Sequence, residues 1–134
     1  MFNLFIVTLE KTQFDGPVHS VLLPGVDGYF QILTDHAPLV ALLMPGRLEI
    51  EEQEGVKEIF ALSGGFFEVA HNKATVIADA VEKASKINYD RALLSLLRAQ
   101  ERLASAESGV DRERAKLSMK RAENRIKINR QFNP

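Results

Sequence analysis

The chain of 134 residues contains no cysteine. That excludes a disulfide framework, a thiolate zinc site and a cysteine nucleophile, and it fits a reducing cytosol. No run approaches the 18 consecutive apolar residues that a membrane-spanning helix requires. The opening "MFNLFIVTLE" lacks a basic leader region and a cleavage site, so it reads as a first strand rather than a signal peptide. There are only three histidines, His19, His36 and His71, and none shows the H-x-x-x-H spacing of a metal pair. G-x-S-x-G and G-x-x-x-x-G-K-[ST] are both missing, which leaves no nucleophile elbow and no phosphate loop. "SGGFFEV" leads into a strand, so its glycines read as a bulge or tight turn. "EIEEQEG" reads as a hairpin with solvated carboxylates. A chain without these elements is expected to be no enzyme.

Charge of one sign is lacking overall but not locally. Net charge is -1. Residues 1–86 hold 12 acidic and 6 basic side chains, whereas residues 87–134 hold 6 acidic and 11 basic, including eight of the nine arginines. Such an asymmetry suggests two modules with different partners. The basic part has Tyr89 as the aromatic of its helical body and Phe132 in its tail, too few for stacking single-stranded nucleic acid.

What is present divides at the same place. "NLFIVTL", "HSVLLP", "YFQIL", "LVALL", "RLEIEE", "KEIFAL", "FFEVA" and "ATVIADA" are short apolar or alternating runs separated by "DGP", "PG", "DG", "PG", "EG", "GG" and "HNK". Their spacing of roughly 8–12 residues predicts an all-β sandwich or barrel. "RLEIEE" alternates, with Leu48 and Ile50 inward. In "DHAPL", Pro38 restrains Ala37 to an extended conformation. His36 then falls at a turn or strand end, either bonded to nearby backbone or exposed as a contact residue.

From residue 87 the period becomes helical. "RALLSLLRAQERL" (91–103) and "RAKLSMKRAENRI" (114–126) are identical at seven of 13 positions. Ala92, Leu96, Ala99 and Leu103 fall on one helix face, and Ala115, Met119, Ala122 and Ile126 repeat the pattern. Asn88 and Asp111 are the expected N-caps, with Ser108-Gly109 as the first helix's C-terminal turn. The result is an antiparallel αα-hairpin with alanines along its seam. Each repeat arginine, at 91, 98, 102, 114, 121 and 125, sits one position before a seam residue, about 100° around the helix. These arginines border the seam either as a solvated flank or as a surface awaiting an anionic partner.

"VLLPGVDGYFQILTDHAPLVALLMPGRLEI", then "LSGGFFEV" and "ATVIADA", resembles the epsilon subunit of bacterial F-type ATP synthase, and the likeness extends over essentially the whole chain. It implies an α+β fold, a ten-stranded β-sandwich over 1–86 followed by the hairpin over 87–134. The implied role is that of a central-stalk rotor subunit of a proton-translocating synthase, peripheral on the cytoplasmic face of the bacterial plasma membrane. It couples c-ring rotation to ATP synthesis and inhibits ATP hydrolysis through the hairpin. The implied partners are the gamma subunit and c-ring for the sandwich, and the alpha and beta subunits for an extended hairpin. The rotor contact is expected at Asp27, Gly28, Tyr29 and His36, with Tyr29 standing where the family commonly has a carboxylate. No cofactor is required, but some members bind regulatory ATP through I/L-D-x-x-R-A and helix arginines. By the same resemblance the nucleotide residues here are Glu82, Asn88, Arg91, Ala92, Arg98, Arg121 and Arg125, with Asn88 in place of the motif aspartate. Two other readings stay open: an ATP-sensing module, and an adaptor that docks an acidic partner.

Overall fold

The computed structural model describes residues 1–132. The chain divides into two units, Met1–Lys83 and a second beginning at Ala84.

The first unit holds eight strands: β1 (Phe2–Val7), β2 (Thr12–Val18), β3 (Ser20–Gly25), β4 (Gly28–Leu33), β5 (Leu39–Gln53), β6 (Val56–Ala70), β7 (Lys73–Ala78) and β8 (Val81–Lys83). Their order is β2-β1-β7-β6-β5-β3-β4, with β8 paired to β6. The β1–β7 pair is parallel and the others are antiparallel. Alternation sets the faces: Phe2, Leu4 and Ile6 point inward from β1, and Leu48 and Ile50 from β5, as the "RLEIEE" pattern requires. They join Val21, Leu23, Ile32, Leu62, Phe67 and Val76 in one core, where Phe30 meets Phe67 edge-on at 5.7 Å.

Two pairs of expected strands are each one strand. "LVALL" and "RLEIEE" merge into β5, and "KEIFAL" and "FFEVA" merge into β6; the two pair from Leu39↔Val69 to Gln53↔Val56. The Pro45-Gly46 and Gly64-Gly65 signals are therefore not turns. Gly65 has φ +150°, and a Cβ there would lie 2.2 Å from the Ile77 carbonyl oxygen. Glycine permits this close approach, and β6 changes neighbour at that point, from β8 at Phe60–Leu62 to β7 from Gly65 onward. Because β5 and β6 each run 15 residues and serve as two strands, the eight strands correspond to the ten of the implied sandwich. β2, not anticipated from "TQFDGPV", is an edge strand, where Pro17 is tolerated.

Three connections are true turns. Gly28 and Gly55 have positive φ, and His71 and Asn72 at φ 51° and 59° form the tight β6–β7 hairpin. Asp35 is also left-handed, at φ 64°. A reciprocal pair of hydrogen bonds offsets that strain: Asp35 N–H donates to Asn72 Oδ1 at 2.7 Å, and Asn72 Nδ2 donates to Asp35 Oδ1 at 2.8 Å.

The second unit opens with a single 3₁₀ turn, Ala84–Lys86, followed by α1 (Tyr89–Ser105) and α2 (Gly109–Phe132). Ala92, Ala99, Ala115 and Ala122 are all buried along the seam. Asn88 is the cap expected, its Oδ1 accepting from Arg91 N–H at 3.0 Å. The second cap differs from the expectation. Ser108 Oγ, not Asp111, caps α2 by accepting from Asp111 N–H at 3.1 Å, so Gly109 starts α2 rather than ending α1. Both residues offer a capping oxygen, and the one three positions earlier gains a further turn of helix. No helix among the described residues is long and apolar enough to cross a membrane.

Candidate functional site

Two surfaces hold the residues that the sequence singles out. The first is the β3–β4 turn of the sandwich. The β3–β4 ladder ends in Pro24↔Tyr29 and Gly25↔Gly28, leaving Val26 and Asp27 at the tip. Val26 N–H donates to the Leu42 carbonyl at 3.1 Å, which lays the turn beside the start of β5. Between them is a cleft of about 530 Å³ lined by Val26, Asp27, Tyr29, Phe30, Val40 and Leu42, among others. Tyr29, Val40 and Leu42 are 55%, 60% and 62% exposed. Exposed apolar side chains around one cleft, with Asp27 as the charge at its rim, form a surface suited to a protein partner.

Tyr29 is also tied inward. Its hydroxyl accepts from the Arg47 backbone N–H at 2.9 Å, and the Arg47 guanidinium stands 6.0 Å from its ring centroid. Asp27, Gly28 and Tyr29 thus share the tip. His36 does not; it lies in the connection at the other end of β4, partly buried, donating from Nδ1 to the Ala37 carbonyl at 2.6 Å.

The second surface is the hairpin. Two bonds close its open end: Asn129 Nδ2 donates to the Ile87 carbonyl at 3.2 Å, and Arg130 donates to the Tyr89 hydroxyl at 3.2 Å with its guanidinium 5.7 Å from the ring. Arg91 follows Tyr89 by two residues and Arg125 precedes Arg130 by five. At 1.5 Å per residue these two arginines lie within about two turns of the tie. Arg98 and Arg121 lie farther toward the turn. Arg91 and Arg98 are exposed, whereas Arg121 and Arg125 are partly buried, and Ala92 is fully buried in the seam. Arg102 and Arg114 line a separate pocket of about 400 Å³ at the hairpin turn, with Ser105, Glu107 and Asp111. Glu82 belongs to the sandwich unit, on β8 opposite Ala61 of β6.

Asn129 and Arg130 were not singled out by the repeat, which ends at Ile126. Their signal is weak: a polar pair near the end of the second helix, with Arg130 41 residues from the tyrosine it meets. No cluster of histidine and carboxylate groups fit for a metal ion is found among the described residues.

Residues 1–84 match the family model described as "ATP synthase, Delta/Epsilon chain, beta-sandwich domain", and residues 85–128 match "ATP synthase, Delta/Epsilon chain, long alpha-helix domain". The chain is 47% identical over 110 residues to the ATP synthase epsilon chain of Protochlamydia amoebophila, covering 82% of this chain and 75% of that one. It is 43% identical over 125 residues to the epsilon chain of Desulforamulus reducens, covering 93% and 94%. Its fold is also that of a chain in the Euglena gracilis mitochondrial ATP synthase, with a TM-score of 0.77 at 20% identity, covering 90% of this chain and 76% of that one. A chain in the central stalk and c-ring structure from Tetrahymena thermophila matches with a TM-score of 0.68 at 17% identity, covering 95% of both. A sandwich and a hairpin each matched by its own family model, in one order along one chain, mean that the protein belongs to the epsilon-subunit family of bacterial F-type ATP synthase, a non-catalytic subunit of that complex.

Proposed function

We propose that this subunit does its rotor work through two surfaces of different chemistry. The sandwich docks on the gamma subunit and the c-ring, and the basic hairpin engages the alpha and beta subunits. Docking couples c-ring rotation to ATP synthesis; engagement of the hairpin inhibits ATP hydrolysis. The molecule then sits peripherally on the cytoplasmic face of the bacterial plasma membrane. The observation that carries this reading is the apolar cleft at the β3–β4 turn, where Tyr29, Val40 and Leu42 stand in water around a cavity of about 530 Å³. Apolar surface held open to solvent on a rigid sheet is costly unless a partner covers it. The experiment is reconstitution with the rotor and catalytic head, comparing the full chain with one lacking residues 88–134. Both chains should bind the rotor, and hydrolysis should be faster with the shortened one. Equal hydrolysis would remove the inhibitory role of the hairpin, and failure of either chain to bind would remove the docking role of the sandwich.

A regulatory role for ATP is part of the same proposal. Arg91 and Arg125 lie near the open end of the hairpin, with Arg98 and Arg121 farther along it, and their guanidinium groups suit a triphosphate. A ligand that prefers one hairpin arrangement shifts the population only by its differential affinity for that arrangement. Calorimetric titration of the isolated chain with ATP tests this. Binding should be weakened by Arg98→Ala or Arg125→Ala, by roughly ten- to a hundredfold for a lost charge-assisted bond. It should be tightened by Asn88→Asp. No heat at millimolar ATP from either the native chain or Asn88→Asp would end the nucleotide reading.

A further inference from the structure

Tyr29 is both the most aromatic part of the exposed tip and a residue whose hydroxyl is already engaged. The β3–β5 ladder is irregular between Leu22 and Gly25. Pro24 lies in that gap and has no N–H to contribute. The Tyr29 side chain crosses the gap from β4 to β5, where its hydroxyl accepts from Arg47 N–H at 2.9 Å. Gly46 leaves the room for this crossing: a Cβ there would lie 2.7 Å from the Tyr29 hydroxyl and 2.5 Å from Pro24 Cβ. A side chain thus supplies the acceptor that the regular ladder would otherwise provide, and it links edge strand β4 to β5 over the intervening β3. The strand held in this way forms one wall of the cleft, and β5 forms the other.

We propose that Tyr29 is the positioning residue of the tip: its hydroxyl latches the β3–β4 turn onto β5 and holds the cleft in its docking-ready form before the partner arrives. This rests on the reading of the tip as the rotor-docking surface. The latch accounts for tyrosine rather than a carboxylate at this position. The bond needs a group long enough to span a strand, with an accepting oxygen at its far end while the ring stays exposed to a partner, and a carboxylate side chain is shorter than a tyrosine. Pre-organisation has a kinetic signature. If only a fraction of the free chain holds the competent form, apparent affinity falls by that fraction, and the loss falls on association. Removing a direct contact instead raises the dissociation rate.

The test uses the full chain and a purified gamma–c-ring rotor stripped of this subunit. Tyr29→Phe keeps the ring and deletes the hydroxyl. Amide hydrogen exchange in the free variant should be faster at Arg47, by about tenfold for a lost hydrogen bond. Its association rate with the rotor should fall about three- to tenfold, with dissociation within about twofold of the native rate. Gly46→Ala, which crowds the hydroxyl while keeping it, should reproduce the effect and serves if Tyr29→Phe folds poorly. Unchanged protection at Arg47 would overturn the latch. Faster exchange at Arg47 with unchanged association would overturn its positioning role. Val40→Asp places a charge in the cleft and tests the docking reading separately: rebinding as tight as that of the native chain would remove that reading and this proposal with it.

Discussion

Asn88 shows how much one side chain can decide. Its backbone is extended, at φ -88° and ψ 111°, and its Oδ1 satisfies the Arg91 N–H that the helix itself leaves open. Loss of this cap in Asn88→Ala should destabilise the hairpin by about 0.5–2 kcal/mol, read from the thermal melt of its helical signal. Asn88→Asp should leave the melt unchanged or slightly raised, since a carboxylate also caps and complements the helix dipole. That makes the ATP titration of Asn88→Asp interpretable without a folding defect. Lys83 gives a pH-dependent case in the other unit. Its ammonium donates to Glu58 Oε1 at 2.9 Å, and this hydrogen bond, with the charge attraction behind it, raises the lysine above its ordinary 10.5. The folded pKa exceeds the unfolded one, so the contribution is complete below pH 10.5 and is lost as pH rises through the folded value. Denaturation of Glu58→Gln should therefore show a small deficit at pH 8 that closes as the pH rises past the folded value; the pair is largely exposed and its worth is small. A deficit that persists at high pH would assign the effect to Glu58 alone.

At the scale of elements, the hairpin seam is lined mainly by alanines, with Ile128 buried near the end of α2. Ala92, Ala99, Ala115 and Ala122 are buried at seven-residue intervals on both helices, so the two backbones approach closely. Ala99→Leu should force the seam apart and cost about 1–3 kcal/mol in the helical melt, even though leucine is itself a good helix former. The same change at exposed Gln100 should be nearly silent. The outward leucines of α1, Leu93, Leu94 and Leu97, are at least a third exposed. The seam pattern of Ala92, Leu96, Ala99 and Leu103 leaves them off the buried face. In the sandwich, the elements that matter most are β5 and β6, which pair with each other along 15-residue strands, with β5 also pairing β3 and β6 pairing β8.

At the scale of the whole molecule, the core from Phe2 to Ala78, with Val81 against it, is drawn only from the first unit among the described residues. A chain ending near Lys86 should therefore fold by itself, with a cooperative β-type unfolding transition. A broad, non-cooperative transition would mean that the sandwich needs the hairpin. The charge division follows the same line: an acidic sandwich and a basic hairpin can meet different partners without sharing a core.

Much of this structure is written in the periodicity of the sequence. Alternation at Leu48 and Ile50, the alanine repeat, and the Asn88 cap are local, because the pattern that signals them is also the physics that forms them. The family motifs were equally legible, and with them the sandwich and hairpin. Other features depended on atoms far apart in the chain. Pro45-Gly46 and Gly64-Gly65 have the composition of turns, yet strand pairing carries the backbone through them; at Gly46 and Gly65 atoms of another strand come too close for a Cβ, and Gly64 has φ +112°. Ser108 and Asp111 offer the same capping oxygen three residues apart, so composition could not choose between them. The bond from Arg47 N–H to the Tyr29 hydroxyl crosses a whole strand, and the bond from Asn129 to Ile87 closes the open end of the hairpin across 42 residues of chain. Local preference specified the strands and helices, but which polar groups would satisfy one another was decided only when the tertiary fold brought them within 3 Å or so of each other.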